Sequence, residues 1–246
     1  MKKISAIIAI SVLVIFASIT DSPAKTLLTI KSSKIPLSTE DRNVSNFRGI
    51  SSSGSYDVKI IMGNKESLRL EGDEETINEI ETVVENGILK IRNKSKKGWD
   101  WRSSREKVTI YVNAKSLNSI TLSGSGNMTV NGIVKADKLT NTLSGSGSIV
   151  LSADADEYVG SISGSGKIIV KGKADQASVR LGGSGNFEGS SFKTSDSVIA
   201  ISGSGNATIN AETTLDAKVS GSGNIRYSGN AKVSETKSGS GNIRRI

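Results

Sequence analysis

Apolar and polar residues alternate along most of this chain, and a serine–glycine tetrad interrupts the alternation at regular intervals. An apolar residue precedes the tetrad, as at Leu122 and Ile162, and a second alternating stretch such as 128–130 follows it. A period of two predicts strands with one buried face. No interval holds a helical apolar pattern of ten or more residues, so each interval is predicted to be a unit of strands and turns.

Seven tetrads recur at a nearly constant period. They begin at Ser123, Ser144, Ser163, Gly182, Ser202, Ser220 and Ser238. Such recurrence indicates that each interval stacks on the previous one. We therefore predict an all-β fold, a parallel β-solenoid with about 18–21 residues per coil. The tetrad glycines are predicted to form its tight corners, where close backbone approach favours Gly: Gly124, Gly126, Gly145, Gly147, Gly164, Gly166, Gly183, Gly185, Gly203, Gly205, Gly221, Gly223, Gly239 and Gly241.

Stacked coils place equivalent residues above one another, so the period also predicts ladders of side chains. One rung is Asn127, Asn186, Asn206, Asn224 and Asn242, interrupted by Ser148 and Lys167. Stacked amides hydrogen-bond along a ladder, which predicts a structural role. A second rung is acidic: Asp137, Asp156, Asp175, Asp196 and Asp216. A solvated turn is preferred over a calcium ladder, because calcium needs several oxygens per ion, and no metal site is predicted.

The region 25–116 lacks the tetrad and is rich in Glu and Lys. Residues 57–62 and 67–71 are predicted to be strands around a turn, and Asp73 is predicted to cap a short helical turn. Asn86-Gly87 between alternating stretches is a hairpin signal, because this pair accepts positive φ. We expect this β-rich region to cap one end of the solenoid, whose repeats occupy 117–246.

Residues 1–24 have the pattern of a signal peptide. Lys2 and Lys3 precede an apolar run over 4–19, and small residues lie before Lys25. This predicts export and leaves no membrane-spanning segment after cleavage, although an uncleaved anchor is the alternative. The expected location is the periplasm, the outer cell surface or the medium.

The composition excludes much catalytic chemistry. The chain has no histidine and no cysteine, which removes histidine-based triads, cysteine nucleophiles and disulfides. The glycine tetrads lack the Lys-Ser or Lys-Thr of a phosphate loop. No catalytic residue and no cofactor is predicted, and a polysaccharide lyase or hydrolase is kept as the enzymatic alternative.

One segment, 90–107, departs from the repeats. It contains both tryptophans and has eight basic and two acidic residues in a chain of formal net charge +8. Basic and aromatic side chains together bind acidic sugars or single-stranded nucleic acid, and export favours an envelope polyanion. The predicted ligand-binding residues are Trp99, Trp101, Lys94, Lys96, Lys97, Arg102 and Arg105. The alternative is a solubilising loop whose tryptophans pack on the end of the solenoid.

Several local motifs together resemble a known family. They are Phe47-x-x-Ile50, the stretch 68–73, Asn86-Gly87-x-Leu89-x-Ile91, the run from Tyr111 to Leu122 and the repeated tetrads. Over roughly 42–245 this combination resembles the putative auto-transporter adhesin, head GIN domain family. The resemblance implies a right-handed parallel β-helix-like fold in exported bacterial proteins, and it supplies no catalytic residues.

The prediction is therefore a non-enzymatic, exported β-solenoid module, an adhesin or a protein that binds an acidic glycan or another envelope polyanion. The alternative is a periplasmic structural or envelope-stress module without an external ligand. An open solenoid end near Ile246 makes end-to-end pairing conceivable.

Overall fold

A computed structural model of the protein describes residues 37–94 and 108–246. These residues belong to one compact unit, Ile35–Ile246. The predicted signal peptide, 1–24, lies outside the described residues. So do Trp99, Trp101, Lys96, Lys97, Arg102 and Arg105.

The fold is a β-solenoid of about 7 turns with parallel stacked strands, which confirms the predicted fold class; 76% of the described residues are in strands and 3% are in a helix. In chain order the elements are β1 (Ser38–Arg42), β2 (Gly49–Gly54), β3 (Asp57–Met62), β4 (Ser67–Gly72), α1 (Glu74–Glu79), β5 (Ile80–Glu85), β6 (Ile88–Asn93), β7 (Thr109–Ala114), β8 (Ser119–Gly124), β9 (Asn127–Gly145), β10 (Ser148–Gly164), β11 (Lys167–Gly183), β12 (Asn186–Gly203), β13 (Asn206–Gly221), β14 (Asn224–Ser228), β15 (Lys232–Ser238) and β16 (Asn242–Arg245).

Each of the strands β9 to β13 runs from one tetrad to the next and is paired in parallel with the strands before and after it. One such strand is therefore one whole coil. Gly145 pairs with Gly124 on one side and Gly164 on the other, so the tetrads form a continuous edge along the solenoid.

The interior is filled by the inward-facing residues of the alternating stretches. The residues that precede the first six tetrads are at most 2% exposed: Leu122, Leu143, Ile162, Leu181, Ile201 and Val219. Near the middle, Tyr158 packs edge-on to Phe192 with ring centroids 5.0 Å apart. The small residue Gly160 makes room for this ring, since a Cβ there would lie 3.1 Å from a Tyr158 ring carbon.

The cap contains the predicted local motifs. Asp73 is the N-cap of α1, where its carboxylate accepts a hydrogen bond from the Thr76 backbone N–H at 2.9 Å. Asn86 and Gly87 have φ of 52° and 73° and join β5 to β6 as an antiparallel hairpin. The strands β3 and β4 are present as predicted but do not pair with each other. Instead β7 lies between them, parallel to β3 and antiparallel to β4.

The coil stack extends into the cap beyond the first tetrad. Gly54, at the end of β2, pairs with Gly124. Both glycines have a positive φ (141° and 123°), so 53–56 occupies a tetrad position. The next coil outward is formed by β6 and β7, which pair in parallel with β2 and β3. Two coils of the stack therefore lie within 49–114.

Candidate functional site

The tetrad corners bring successive backbones very close together. A Cβ on Gly147 would lie 2.2 Å from the Gly126 carbonyl oxygen, and Gly145 has a φ of 120°. Contacts this short exclude any side chain, so this edge of the solenoid is built for stacking.

The predicted asparagine ladder is confirmed for Asn186, Asn206 and Asn224. The Asn206 amide donates to Asn186 Oδ1 at 3.0 Å, and the Asn224 amide donates to Asn206 Oδ1 at 2.9 Å. At the start of the rung, the Asn127 amide donates to Asp57 Oδ1 at 2.7 Å instead.

The predicted acidic rung is wrong beyond its third member. Asp196 pairs with Gln176, and Asp216 pairs with Val198, because register shifts in β12 move both aspartates off the common row. Among residues 37–94 and 108–246 no group of three or more acidic residues could hold a metal ion.

The basic, tryptophan-containing segment is an insertion at a tetrad corner. In the coil beside it, β2 and β3 are joined by the two residues Ser55 and Tyr56. In the outermost coil β6 and β7 keep the same register, with Ser52 paired to Ile91 and Asp57 to Thr109, but fifteen residues (94–108) join them. The insertion therefore lengthens the chain at a corner of the outermost coil.

The described base of this insertion is tied to the cap. The Lys94 backbone N–H donates to the Glu79 carbonyl at 2.7 Å, and its ammonium donates to the Asn78 carbonyl at 2.6 Å. A cation there is favourable, because the carbonyls at a helix C-terminus carry partial negative charge. Lys94 is the only predicted ligand-binding residue that the structure describes, and its ammonium holds the end of α1.

Tyr56 lies at the same corner, in the adjacent coil. Its hydroxyl donates to the Asn93 side-chain carbonyl. Burial, and then the nearby Glu79 carboxylate, raise the pKa of Tyr56 to about 12. Tyr56 occupies the position of the second tetrad glycine, since a Cβ on Gly126 in the next coil would lie 2.3 Å from the Tyr56 backbone carbonyl oxygen.

A second concave feature lies on the outer face of the cap. It is a groove of about 830 Å³ between the segment 41–45 and the outward-facing side chains of β4 and β7. Tyr111 and Asn113 line its β7 side, and the Asn113 amide donates to Ser67 Oγ at 2.7 Å. We call this the cap groove.

Ion pairs fix the polar lining of the cap groove. Arg69 donates to both carboxylate oxygens of Asp41, at 2.7 and 3.1 Å. This pairing lowers the pKa of the Asp41 carboxyl and raises the pKa of Arg69. Arg42 donates to the Ile80 and Ile77 carbonyls at 2.7 and 3.1 Å, so its guanidinium is also engaged.

Tyr111 differs from the other aromatic residues that the structure describes. Phe47, Tyr56, Tyr158, Phe187 and Phe192 belong to the core, and Tyr227 packs against it. Tyr111 does not pack on the core, and the Lys59 ammonium lies 5.3 Å from its ring centroid. Our sequence analysis missed this residue, although the outward position between Ile110 and Val112 was the available signal.

In the described part of the chain, no helix is both long enough and apolar enough to cross a membrane. Among curated proteins, none matches this chain.

Solved structures share the fold. A putative adhesin from Bacteroides fragilis is 25% identical with a TM-score of 0.78, covering 86% of this chain and 97% of that one. A putative lipid binding protein from Parabacteroides distasonis is 28% identical with a TM-score of 0.71, covering 85% and 96%. A putative adhesin from Parabacteroides merdae, 23% identical with a TM-score of 0.68, covers 85% and 96% and is similar in fold.

A family model matches residues 46–231, from the turn before β2 to the turn before β15. That range contains the cap from β2 onward, the corner insertion and all but the last tetrad, and the names of the family and of these neighbours designate no enzyme. The chain belongs to the putative auto-transporter adhesin, head GIN domain family.

Proposed function

We propose that this protein is an exported, non-enzymatic binding module that attaches to an acidic glycan or another envelope polyanion through the insertion 94–108. The observation that carries the proposal is the position of this insertion. It interrupts the outermost coil at a corner where the adjacent coil needs only Ser55 and Tyr56. A long loop held by a rigid repeat scaffold is where binding residues are usually found.

The charge of the insertion supports a negatively charged partner. Lys90 and Arg92 on β6 are already paired with Glu85 and Glu81, at 2.5 and 2.6 Å. Lys94 holds α1. We therefore assign ligand binding to the cations within 95–107, which are next to both tryptophans in the sequence. Basic groups beside aromatic faces attract sulfated or carboxylated sugars by charge and by stacking.

Binding of defined polyanions tests this proposal. The probes are fluorescent heparin fragments and polygalacturonate, titrated into the protein that lacks residues 1–24. Trp99→Ala with Trp101→Ala is expected to weaken binding about tenfold, which corresponds to ~1.4 kcal/mol. Lys96→Glu with Arg102→Glu is expected to weaken it further and to flatten its salt dependence.

A matched charge change on the solenoid is the control. Lys135→Glu with Lys171→Glu makes the same change in net charge at two exposed positions. Equal losses in the insertion variant and in this control would mean that only total charge matters, and the insertion would not be the site. Retention by all variants would also refute the assignment.

Location separates attachment from a structural role inside the envelope. Protease is added to intact cells and to cells whose outer barrier has been opened. Digestion in intact cells is expected for an adhesin. Protection until the barrier is opened would favour the periplasmic structural module. Vesicles without glycan would then test lipid binding, the property in the name of the P. distasonis protein.

A further inference from the structure

We infer that the cap groove is a second binding site, and that its ligand is a neutral oligosaccharide stacked on Tyr111. This goes beyond the proposed polyanion contact, since the cap groove is formed by described residues outside the insertion. Its volume of about 830 Å³ lies in the range of small-molecule sites.

The half-buried aromatic ring of Tyr111 on the outer face is the first argument. Every other described aromatic side chain contributes to the core, so Tyr111 has no packing role of that kind. On the same outward row the solenoid coils carry Thr129, Val150 and Ile169, which present no ring. A ring on a sheet surface at the floor of a groove offers a flat face to the C–H side of a sugar.

The charge balance of the lining excludes a polyanion as the preferred ligand. Asp41, Glu66 and Glu71 bring three carboxylates into the cap groove. The cations beside them are already engaged: Arg69 with Asp41, Arg42 with Glu40 and two backbone carbonyls, and Lys115 with Glu66 at 3.8 Å. A polyanion would therefore find no unpaired partner among these three cations and would meet repulsion from the Glu71 carboxylate.

The donor and acceptor pattern fits hydroxyl groups. A sugar hydroxyl both donates and accepts, so it matches a lining that mixes carboxylate, amide and hydroxyl groups. Several of these groups are already held in place. Glu66 accepts a hydrogen bond from the Asn46 backbone N–H at 3.0 Å, and Asn113 is oriented by Ser67. Preorganised polar groups reduce the entropy lost on binding.

An array of neutral oligosaccharides tests the inference, followed by titration calorimetry with the strongest neutral probe. Tyr111→Ala is expected to weaken binding roughly fivefold to tenfold, whereas Tyr111→Phe keeps the ring and stays within about threefold. Asn113→Ala, which changes only the polar lining, is expected to weaken binding as well. Thr208→Ala, on the same outward row but far along the solenoid, is the control and should have no effect.

Salt and the tryptophan variant separate this site from the insertion. Neutral-sugar binding should be nearly constant between low and high salt and should survive Trp99→Ala with Trp101→Ala. Circular dichroism checks that each variant is folded. The inference is overturned if no neutral probe binds, if Tyr111→Ala and Asn113→Ala bind as the wild type does, or if neutral-sugar binding is lost with the tryptophans.

Discussion

At the scale of single residues, the tetrad glycines are not equivalent. A Cβ on Gly147 would lie 2.2 Å from the Gly126 carbonyl oxygen and 2.8 Å from Leu122 Cδ2. A Cβ on Gly182 would have only the Ile162 carbonyl oxygen nearby, at 3.9 Å. The first glycine allows two coils to touch, whereas the second merely occupies a position where other tetrads carry serine.

Alanine substitutions at these two glycines should therefore change the free energy of unfolding by very different amounts. Gly147→Ala is expected to lower the free energy of unfolding by about 2–3 kcal/mol, because the backbones must move apart. Gly182→Ala should change it by less than about 0.5 kcal/mol. Urea titrations measure both. Similar values for the two variants would show that coil spacing does not depend on corner contacts.

Buried tyrosines make stability sensitive to high pH. Burial raises the pKa of Tyr158, and it outweighs the hydrogen bond that the hydroxyl accepts from the Asn141 amide at 3.2 Å, which acts in the opposite direction. Burial thus favours the neutral form in the fold. The stabilisation is complete below the unfolded pKa of about 10 and is lost as the pH rises above it, by up to ~1.4 kcal/mol per pH unit for each tyrosine.

Unfolding measured from pH 8 to 11 should show this loss. Tyr158→Phe is expected to reduce the slope above pH 10, even though the variant starts less stable by ~1–3 kcal/mol because the buried Asn141 amide loses its partner. An unchanged slope would assign the alkaline sensitivity to other groups, of which Tyr56 is the first candidate.

At the scale of elements, the insertion is predicted to be dispensable for folding. The strands that flank it keep the register of β2 and β3, which a two-residue corner joins. Replacing 95–107 with Gly-Gly should leave the circular dichroism spectrum unchanged. Stability should stay equal or rise by up to ~1 kcal/mol, because closing a shorter loop costs less entropy. A variant that fails to fold would make the segment part of the cap.

Elements were predictable where local rules decide them. Asp73 predicted the helix α1 and Asn86-Gly87 predicted a hairpin, because helix capping and positive φ are determined within a few residues. The coil at 49–62 was missed, since Tyr56 replaces the second glycine of the tetrad there. The register shifts in β12 that broke the acidic rung, and the segment 41–45 that walls the cap groove, depend on long-range packing.

At the scale of the whole molecule, the two ends of the coil stack are bordered in different ways. At one end, the strand β15 carries Glu235 and Lys237 at the positions that pair with the buried Ala217 and Val219 of the preceding coil. At the other end the antiparallel strands β1 and β5 border the stack. Inward-pointing charges on an edge strand oppose its pairing with another sheet. We therefore expect these charges to oppose the end-to-end association that an open edge near Ile246 suggested.

Restoring the repeat pattern at this end should create such association. Glu235→Ala with Lys237→Val gives β15 the inward residues of β13, and it exposes an apolar edge whose backbone groups are free to pair. Sedimentation velocity is expected to show dimers or larger species that increase with protein concentration, while the wild type sediments as one species. Lys218→Val, which adds an apolar residue at an exposed outward position, is the control for nonspecific stickiness. If the double variant does not associate, or if the control associates equally, the charges at 235 and 237 do not keep the solenoids apart, and the end must be protected by the shape of β15 and β16 instead.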